Sequence, residues 1–288
     1  METTSNLKKT FLLAADLEVN RMGFGTMRVT GPKILGMPEN PQNSIDILQR
    51  AVESGVNFID TADQYGPFVS EQLIAEALHP YRENVVIATK GGLVRFGPGA
   101  DVNNDASPQH LQDALDGSLR RLKLERIDLY QLHRIDPKVP AELSFAFLAK
   151  AQQEGKIRHL GLSEVSVDDI KLAQQHFEVV SVQNRYSVFE RKWESVLEYC
   201  ESQKIAFIPW FPLGGGAELS QEKLKDMAHR KQVTMHQLAL AWLLHRSDNI
   251  LLIPGTSSLT HLEENISALS IELTANDMTE LDDLVPIQ

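Results

Sequence analysis

The sequence predicts a (β/α)8 TIM barrel that forms a single domain over residues 1–288, with a short N-terminal segment before the first barrel strand. Two observations lead to this fold class. Eight short apolar or β-branched runs recur along the 288 residues, and segments with helical spacing separate them. Regular alternation of buried strands with amphipathic helices implies a parallel sheet with right-handed crossovers, and eight such units close a barrel.

The candidate strands, in chain order, are "RMGFGTM", "VNFID", "NVVIATKGG", "IDLYQLHR", "IRHLGLSE", "VVSVQNRYS", "IAFIPWFPL" and "NILLIPGT". The candidate helices between them include "SIDILQRAVESG", "SEQLIAEALHP", "SPQHLQDALDGSLRRL", "AELSFAFLAKAQQEG" and "WESVLEYCESQ". Gly55 and Gly155 stand where two of these helices are expected to stop. After the last strand, Thr260 and Glu263 have capping-box spacing, which predicts a helix start at Thr260.

A doubly wound open sheet is the alternative architecture for alternating strands and helices. That fold normally carries a G-x-G-x-x-G fingerprint between its first strand and first helix. The corresponding stretch here, "GFGTM", lacks the third glycine and has no helix directly after it. No linker, low-complexity tract or internal repeat divides the chain. The barrel is therefore the favoured architecture, and one domain is sufficient.

Composition limits the partners of the protein. The net charge of -11 would repel nucleic acid and anionic membranes, so we expect neither as a partner, and any anionic ligand must be held by local donors. No apolar run approaches the roughly 20 residues of a membrane span, and "FLLAA" is too short for a signal-peptide core. Cys200 is the only cysteine, which rules out an intramolecular disulfide and fits a cytoplasmic protein. We expect no metal site, and the sequence does not indicate an oligomeric state.

Four polar residues fall at or just past the ends of three candidate strands, in "FIDTADQY", "VIATK" and "LYQLH". They are Asp60, Tyr65, Lys90 and His133. In a barrel of this kind, reactive groups come from the carboxyl ends of the strands. A phenol with an ordinary pKa of about 10 is a weak acid at neutral pH, and a nearby ammonium lowers that pKa. A carboxylate can hold the ammonium, and a histidine can orient a carbonyl substrate.

At these residues the sequence resembles the aldo-keto reductases, and the resemblance covers nearly the whole chain. The stretches "NFIDTADQYG", "VVIATK" and "DLYQLHRID" match the family's motifs in order and approximate spacing. The resemblance implies that Tyr65 is the general acid, that Lys90 and Asp60 tune it, and that His133 positions the carbonyl. It also implies that a small-molecule carbonyl substrate accepts a hydride from a nicotinamide cofactor.

Further stretches resemble the family's cofactor-binding segments. In "IPWFPLGGG", Trp210 matches the ring that stacks on the nicotinamide, and the following backbone matches the loop that crosses the pyrophosphate. In "LLIPGTSSLTHLEENI", hydroxyls precede a helix N-terminus, which is a ready anion site. The residues that the resemblance implies for cofactor binding are Thr26, Met27, Ser163, Glu164, Gln183, Trp210, Phe211, Pro212, Leu213, Gly214, Gly215, Gly255, Thr256, Ser257, Ser258, His261, Glu264 and Asn265.

Two departures from the family pattern concern the cofactor. Many members have Lys directly after "IP" and an Arg further on to bind the 2′-phosphate, whereas this chain has Gly255 and His261. We still expect NADPH, with NADH less favoured. Many members also read "SN" after the fifth strand, whereas this chain reads Ser163 and Glu164. An ionised Glu only accepts hydrogen bonds, so Ser163 or Gln183 must donate to the carboxamide oxygen.

Outside the tetrad, "TGPKILGMP", "YGP", and "FPLGGG" with "LLIPGTSS" are similar to the bacterial branch that includes pyridoxal reductases. This likeness suggests an aromatic aldehyde as substrate, with Tyr186, Met27 and Trp210 as candidate pocket residues. An alternative is a nicotinamide-binding, redox-sensing subunit with slow turnover, although the intact tetrad favours catalysis. A barrel lyase or metal-dependent hydrolase is a third reading, but only one of the nine histidines sits at a strand end, and such enzymes need a Schiff-base lysine or a ligand cluster.

Overall fold

The computed structural model describes residues 7–14, 16–95, 101–213 and 222–284. Its strands are β1 (Thr10–Leu13), β2 (Leu17–Asn20), β3 (Phe24–Gly25), β4 (Phe58–Asp60), β5 (Val86–Gly91), β6 (Leu93–Val94), β7 (Asn103–Asn104), β8 (Ile127–Leu132), β9 (Ile157–Ser163), β10 (Val179–Gln183) and β11 (Ala206–Phe207). Its α-helices are α1 (Pro41–Glu53), α2 (Val69–Leu78), α3 (Pro108–Leu122), α4 (Ala141–Gln153), α5 (Val167–Ala173), α6 (Glu194–Gln203), α7 (Glu222–Lys231), α8 (Met235–Arg246), α9 (Leu259–Ser267) and α10 (Ala275–Asp282).

Seven of the strands form one parallel sheet in the order β3-β4-β5-β8-β9-β10-β11. The predicted alternation of parallel strands and helices is therefore confirmed, and the fold is of the TIM-barrel type. The run "NILLIPGT" contributes isolated parallel bridges instead of a strand. Ile250 bridges to Phe207 in β11, and Leu252 bridges to Met22 just before β3. The segment 250–252 thus connects the two edges of the curled sheet.

The hairpin of β1 and β2 lies at the amino ends of the barrel strands. Its strands pair antiparallel, and its buried residues Leu13 and Val19 pack with Phe58, Val86 and Leu129 in an inner hydrophobic cluster. Phe58 and Val86 are the first residues of β4 and β5. The hairpin therefore covers the end of the barrel opposite the carboxyl ends of the strands, where polar groups collect.

Local sequence signals account for several helix ends. Ser107 caps α3 by accepting a hydrogen bond from the His110 amide, and Pro108 occupies the first turn, where its missing N–H has no cost. Gly55 and Gly155 have φ angles of 95° and 80°, as expected for glycines that follow a helix.

The expected helix start at Thr260 is wrong. Helix α9 begins at Leu259, and the Ser258 side chain accepts a hydrogen bond from the His261 amide as the N-cap. Both Ser258 and Thr260 offer a hydroxyl, and spacing alone favoured Thr260 because Glu263 follows it. The backbone leaves its extended conformation two residues earlier, so the hydroxyl of Ser258 is used within the chain.

Candidate active site

The tetrad is built around a buried ion pair between adjacent strands. Asp60 ends β4, and Lys90 lies in the neighbouring strand β5. The Lys90 Nζ lies 2.7 Å from Oδ2 of Asp60 and also donates a hydrogen bond to the Thr61 carbonyl at 2.8 Å. Lys90 is fully buried and Asp60 is 1% exposed. A buried cation of this kind keeps its charge only with such partners.

Two amides complete the surroundings of the Asp60 carboxylate. Gln183, at the end of β10, donates from Nε2 to Oδ1 of Asp60 at 2.9 Å, and Gln131 of β8 donates to the same oxygen at 3.4 Å. Both glutamines are buried. The carboxylate is thus fixed by three strands and cannot rotate without losing hydrogen bonds.

Tyr65 and His133 complete the arrangement. The Lys90 Nζ lies 5.4 Å from the centre of the Tyr65 ring, and the rings of Tyr65 and His133 meet edge-on with centroids 6.2 Å apart. Tyr65 reaches the site from the loop between β4 and α2, whereas His133 directly follows β8. Asp60, Tyr65 and His133 line one cavity of about 320 Å³.

Burial and neighbouring charges shift the pKa values of Tyr65, Lys90 and His133. Burial raises the pKa of the Tyr65 phenol, and this effect outweighs the lowering by Lys90. The net direction is therefore opposite to that of the ammonium acting alone, and the phenol keeps its proton. Burial opposes the charge on Lys90, but Asp60 and Tyr65 together raise its pKa. Burial, followed by the charges of Lys90 and Arg134, holds the pKa of His133 well below its ordinary value, so the imidazole is neutral.

Most residues expected to bind the cofactor lie around two cavities. The larger cavity, which Asp60, Tyr65 and His133 also line, has among its lining residues Thr26, Met27, Ser163, Gln183, Trp210, Phe211, Pro212, Leu213 and Gly255. A second cavity of about 300 Å³ is lined by Leu213, Gly255, Thr256, Ser257, His261, Glu264 and Asn265. Gly214 and Gly215 lie outside the described residues.

Glu164 and Ser258 are placed differently from these residues and line neither cavity. Glu164 has a left-handed backbone with φ of 56°. Its Oε1 accepts hydrogen bonds from the Trp210 indole and from the Arg185 amide, both at 2.6 Å. The carboxylate therefore fixes the Trp210 ring, whereas the hydroxyl of Ser258 caps α9.

The two cavities meet at Arg28, Leu213 and Gly255, which line both of them. A side chain at position 255 would collide with the backbone oxygen of Gly25, so the close approach of the two loops requires glycine. This arrangement suits an extended dinucleotide. A nicotinamide would lie beside Trp210 in the larger cavity, and an adenosine end would lie beside His261 in the second.

Sequence reasoning missed three arginines that line the larger cavity, Arg28, Arg95 and Arg134. Arg134 donates from Nη1 to the Ser163 hydroxyl at 2.9 Å, and its guanidinium lies 5.7 Å from the Trp210 ring centre. Its position directly after His133, at a strand end, is a signal that could have revealed it. Arg28 lies in a 3-10 helix at Thr26–Val29 and Arg95 in a loop, and no motif marks them.

The expectation that Tyr186 lines the pocket is wrong. Its side chain is fully buried, stacks on Trp242 with ring centroids 6.0 Å apart, and donates from its hydroxyl to Glu194 at 2.6 Å. It belongs to the hydrophobic core between the strands and helices. The apolar wall of the cavity comes instead from Ile34, Leu93 and Val102, beside Trp210 and Phe211.

Within the described ranges, no helix is both long enough and apolar enough to cross a bilayer. The same residues contain no group of three or more His, Cys, Asp or Glu side chains that could hold a metal ion.

Comparisons with known proteins agree with this geometry. The sequence model of the aldo/keto reductase family matches residues 21–286. An uncharacterized oxidoreductase of Schizosaccharomyces pombe is 51% identical over 269 residues, which are 93% of this chain and 87% of that protein. Pyridoxine 4-dehydrogenase of Escherichia coli is 42% identical over 270 residues, which are 92% of this chain and 94% of that protein.

Solved structures give the same result. An aldo/keto reductase from Klebsiella pneumoniae in complex with NADP and acetate has a TM-score of 0.82 at 26% identity, covering 98% of this chain and 96% of its own. The thermostable aldo-keto reductase Tm1743, in complex with the inhibitor epalrestat, has a TM-score of 0.82 at 27% identity, covering 95% of this chain and 98% of its own. The chain is an NAD(P)H-dependent carbonyl-reducing enzyme, and it belongs to the aldo/keto reductase family.

Proposed function

We propose that the protein reduces an aldehyde or ketone to an alcohol with NADPH, and that Tyr65 is the general acid. The observation that carries this proposal is the convergence of Tyr65 and His133 on one cavity next to the buried Lys90–Asp60 pair. A bound nicotinamide would supply the hydride. Every other component of the reaction comes from side chains at the carboxyl ends of the strands.

Each side chain has a separate task in this proposal. The Tyr65 hydroxyl gives its proton to the carbonyl oxygen as that oxygen gains negative charge. Lys90 stabilises the phenolate that remains, and Asp60 keeps Lys90 charged and in place. The neutral His133 donates a hydrogen bond to the carbonyl and polarises it, without competing with Tyr65 as a proton source.

The test is Tyr65→Phe, which removes the hydroxyl and keeps the ring. Turnover should fall by at least about a hundredfold, because general-acid catalysis commonly contributes that much. NADPH binding, followed by quenching of intrinsic fluorescence, should change little. A variant that retains more than about a tenth of the activity would show that another group donates the proton.

For the cofactor, we propose that NADPH is preferred over NADH. Support comes from the second cavity, where Ser257, Thr256 and His261 lie by the N-terminus of α9, a location that favours phosphate. The Klebsiella pneumoniae structure contains NADP. Titration of the protein with NADPH and with NADH would test the preference through quenching of Trp210, and equal affinities would disprove it.

For the substrate, we propose a planar aromatic aldehyde, and pyridoxal is the first to try. The identity of 42% to pyridoxine 4-dehydrogenase and the aromatic residues Trp210 and Phe211 at the cavity support this choice. The measurement is kcat/KM with NADPH for pyridoxal, benzaldehyde, glyceraldehyde and a steroid ketone. If glyceraldehyde or the steroid exceeds both aromatic aldehydes, the proposed substrate class is wrong, whereas the reductase assignment is unaffected.

We also propose that one domain carries the whole site and that the segment 250–252 acts as the eighth strand of the barrel. The cavity residues are contributed by segments from Gly25 to Asn265. Backbone hydrogen bonds of Leu251 and Leu252 reach Phe207 on one side and Arg21 on the other, at 2.9 and 2.8 Å. Cooperative unfolding followed by two probes would test the single domain.

A further inference from the structure

We propose that the substrate is an aromatic aldehyde that carries an anionic group, and that Arg95 binds this group. The inference rests on the proposed reduction of an aromatic aldehyde and specifies the substrate further. The lining of the larger cavity combines apolar side chains with arginines. Ile34, Leu93 and Val102 contribute apolar surface, and Arg95, which follows Leu93 by two residues and donates to the Lys33 carbonyl beside Ile34, lines the same cavity.

Arg95 has donors that the protein does not use. Its Nε is buried and has no hydrogen-bond partner among the described residues. Its Nη1 donates to the Lys33 carbonyl at 3.4 Å, which holds the guanidinium from one side. No carboxylate of the described ranges lies within ion-pair distance of it. Its Nη2 is not buried and donates to no described residue, and guanidinium N–H groups are preferred partners of carboxylate and phosphate oxygens.

The other two arginines of the cavity have different surroundings. Arg134 donates to the Ser163 hydroxyl and to the His133 carbonyl, and it lies over the Trp210 ring. Arg28 lines both cavities and so lies where a bound dinucleotide would cross from one to the other. Arg95 lines only the larger cavity, together with the apolar side chains. This position suits contact with a bound substrate.

Tyr65, His133 and Arg95 line the same cavity, so a flat ring between Tyr65 and Arg95 can present its aldehyde to Tyr65 and its anionic group to Arg95. In the reaction, the carbonyl carbon gains a hydride from NADPH, and the π electrons move to the oxygen. That oxygen takes the proton of Tyr65. The products are the alcohol, NADP⁺ and the Tyr65 phenolate, which takes a proton from solvent, and the anionic group is unchanged.

The test compares 4-carboxybenzaldehyde with its methyl ester, two aldehydes that differ mainly in charge. For the unmodified protein, the ratio of the two kcat/KM values should be at least about ten, the lower end of what a charged hydrogen-bonded pair provides. In Arg95→Met the ratio should fall close to one. Pyridoxal 5′-phosphate against pyridoxal forms a second pair, which distinguishes a phosphate preference from a carboxylate preference.

Matched variants distinguish direct binding of the anion by Arg95 from the effect of any nearby positive charge. Lys33→Gln removes a positive charge from an exposed neighbour that does not line the cavity, and it should leave the ratio unchanged. Arg95→Lys should keep part of the preference. Arg95→Glu should favour a cationic aldehyde such as 4-(trimethylammonio)benzaldehyde. A ratio near one in the unmodified protein, or an unchanged ratio in Arg95→Met, would overturn the inference.

A binding measurement keeps this inference distinguishable from the proposed function. Calorimetric titration with 4-(hydroxymethyl)benzoate and with its methyl ester, in the presence of NADP⁺, needs no turnover. If neither aldehyde is reduced but the carboxylate still binds at least about tenfold more tightly in an Arg95-dependent way, the anion site stands and the proposed reaction fails. If the aldehydes are reduced without a charge preference, the proposed reaction is supported and the proposed anion site is disproved.

Discussion

The buried pair of Asp60 and Lys90 and the exposed hydroxyl of Ser257 belong to the two halves of the same candidate site, but they are held in different ways. Asp60 and Lys90 lie on paired strands, and each makes several hydrogen bonds inside the barrel. Ser257 lies on an exposed turn before α9, and its backbone carbonyl accepts from Asn43 at 3.0 Å.

The difference shows where stability and binding are coupled. A charge inside the barrel cannot be removed without leaving its partner unsatisfied in a medium of low dielectric constant. A hydroxyl on the rim of the second cavity can return to water at little cost. We therefore expect substitutions in the tetrad half to change stability and activity together, and substitutions in the other half to separate them.

The largest effect is expected for Lys90→Met. It would leave the Asp60 carboxylate buried without its cation, so the free energy of unfolding should fall by about 3–5 kcal/mol. Turnover should fall by at least about a hundredfold, since Tyr65 loses the ammonium that stabilises its phenolate. Urea unfolding provides the measurement. The double variant Asp60→Asn with Lys90→Met should recover part of the stability, and a single variant as stable as the natural protein would contradict the coupling.

The buried residue Asp63 allows the comparison between the buried and the exposed half of the site to be made through the pH dependence of stability. It is 2% exposed, its Oδ1 has no partner among the described residues, and burial followed by the charge of Glu71 raises its pKa to about 8. Between the ordinary value of 3.8 and about 8, the folded state keeps a proton that the unfolded chain has lost. Stability should therefore fall as pH rises through this window, by on the order of 1 kcal/mol per pH unit.

The measurement for Asp63 is urea unfolding at pH 5 to 8, for the natural protein and for Asp63→Asn, at roughly unit pH intervals. The amide cannot ionise, so the variant should show a flatter pH dependence. Ser257→Ala, in the other half of the site, should keep the slope of the natural protein. Parallel slopes for the natural protein and Asp63→Asn would show that Asp63 is ionised in the folded state.

The smallest effects are expected for two neighbouring serines. Ser258→Ala removes the N-cap of α9 and should reduce the free energy of unfolding by about 1 kcal/mol. Ser257→Ala should leave stability unchanged. It should weaken NADPH binding by about fivefold, as expected for the loss of one modest hydrogen bond, and leave NADH binding unchanged. Thermal unfolding measures the effect on stability, and fluorescence titration measures the effect on cofactor binding. Equal weakening of both cofactors would show that Ser257 does not contact the 2′-phosphate.

The strand order of the fold was accessible from the sequence because each buried strand is recognisable by its own short run. The run "NILLIPGT" is harder to assign from sequence, because its residues bridge two distant segments without a regular ladder. Within the site, Asp60, Lys90 and His133 could be located because strand ends are local features, and a parallel sheet brings those ends to one rim.

The sequence by itself therefore determined the alternation of strands and helices and the residues placed at the strand ends, because both follow from spacing along a few residues. Only the tertiary structure decided that Tyr186 lies in the core, that Glu164 holds Trp210, and that Arg95 faces the larger cavity. These outcomes depend on which distant segments pack together. A side chain of given chemistry becomes a core residue, a support or a ligand contact according to the neighbours that packing brings to it.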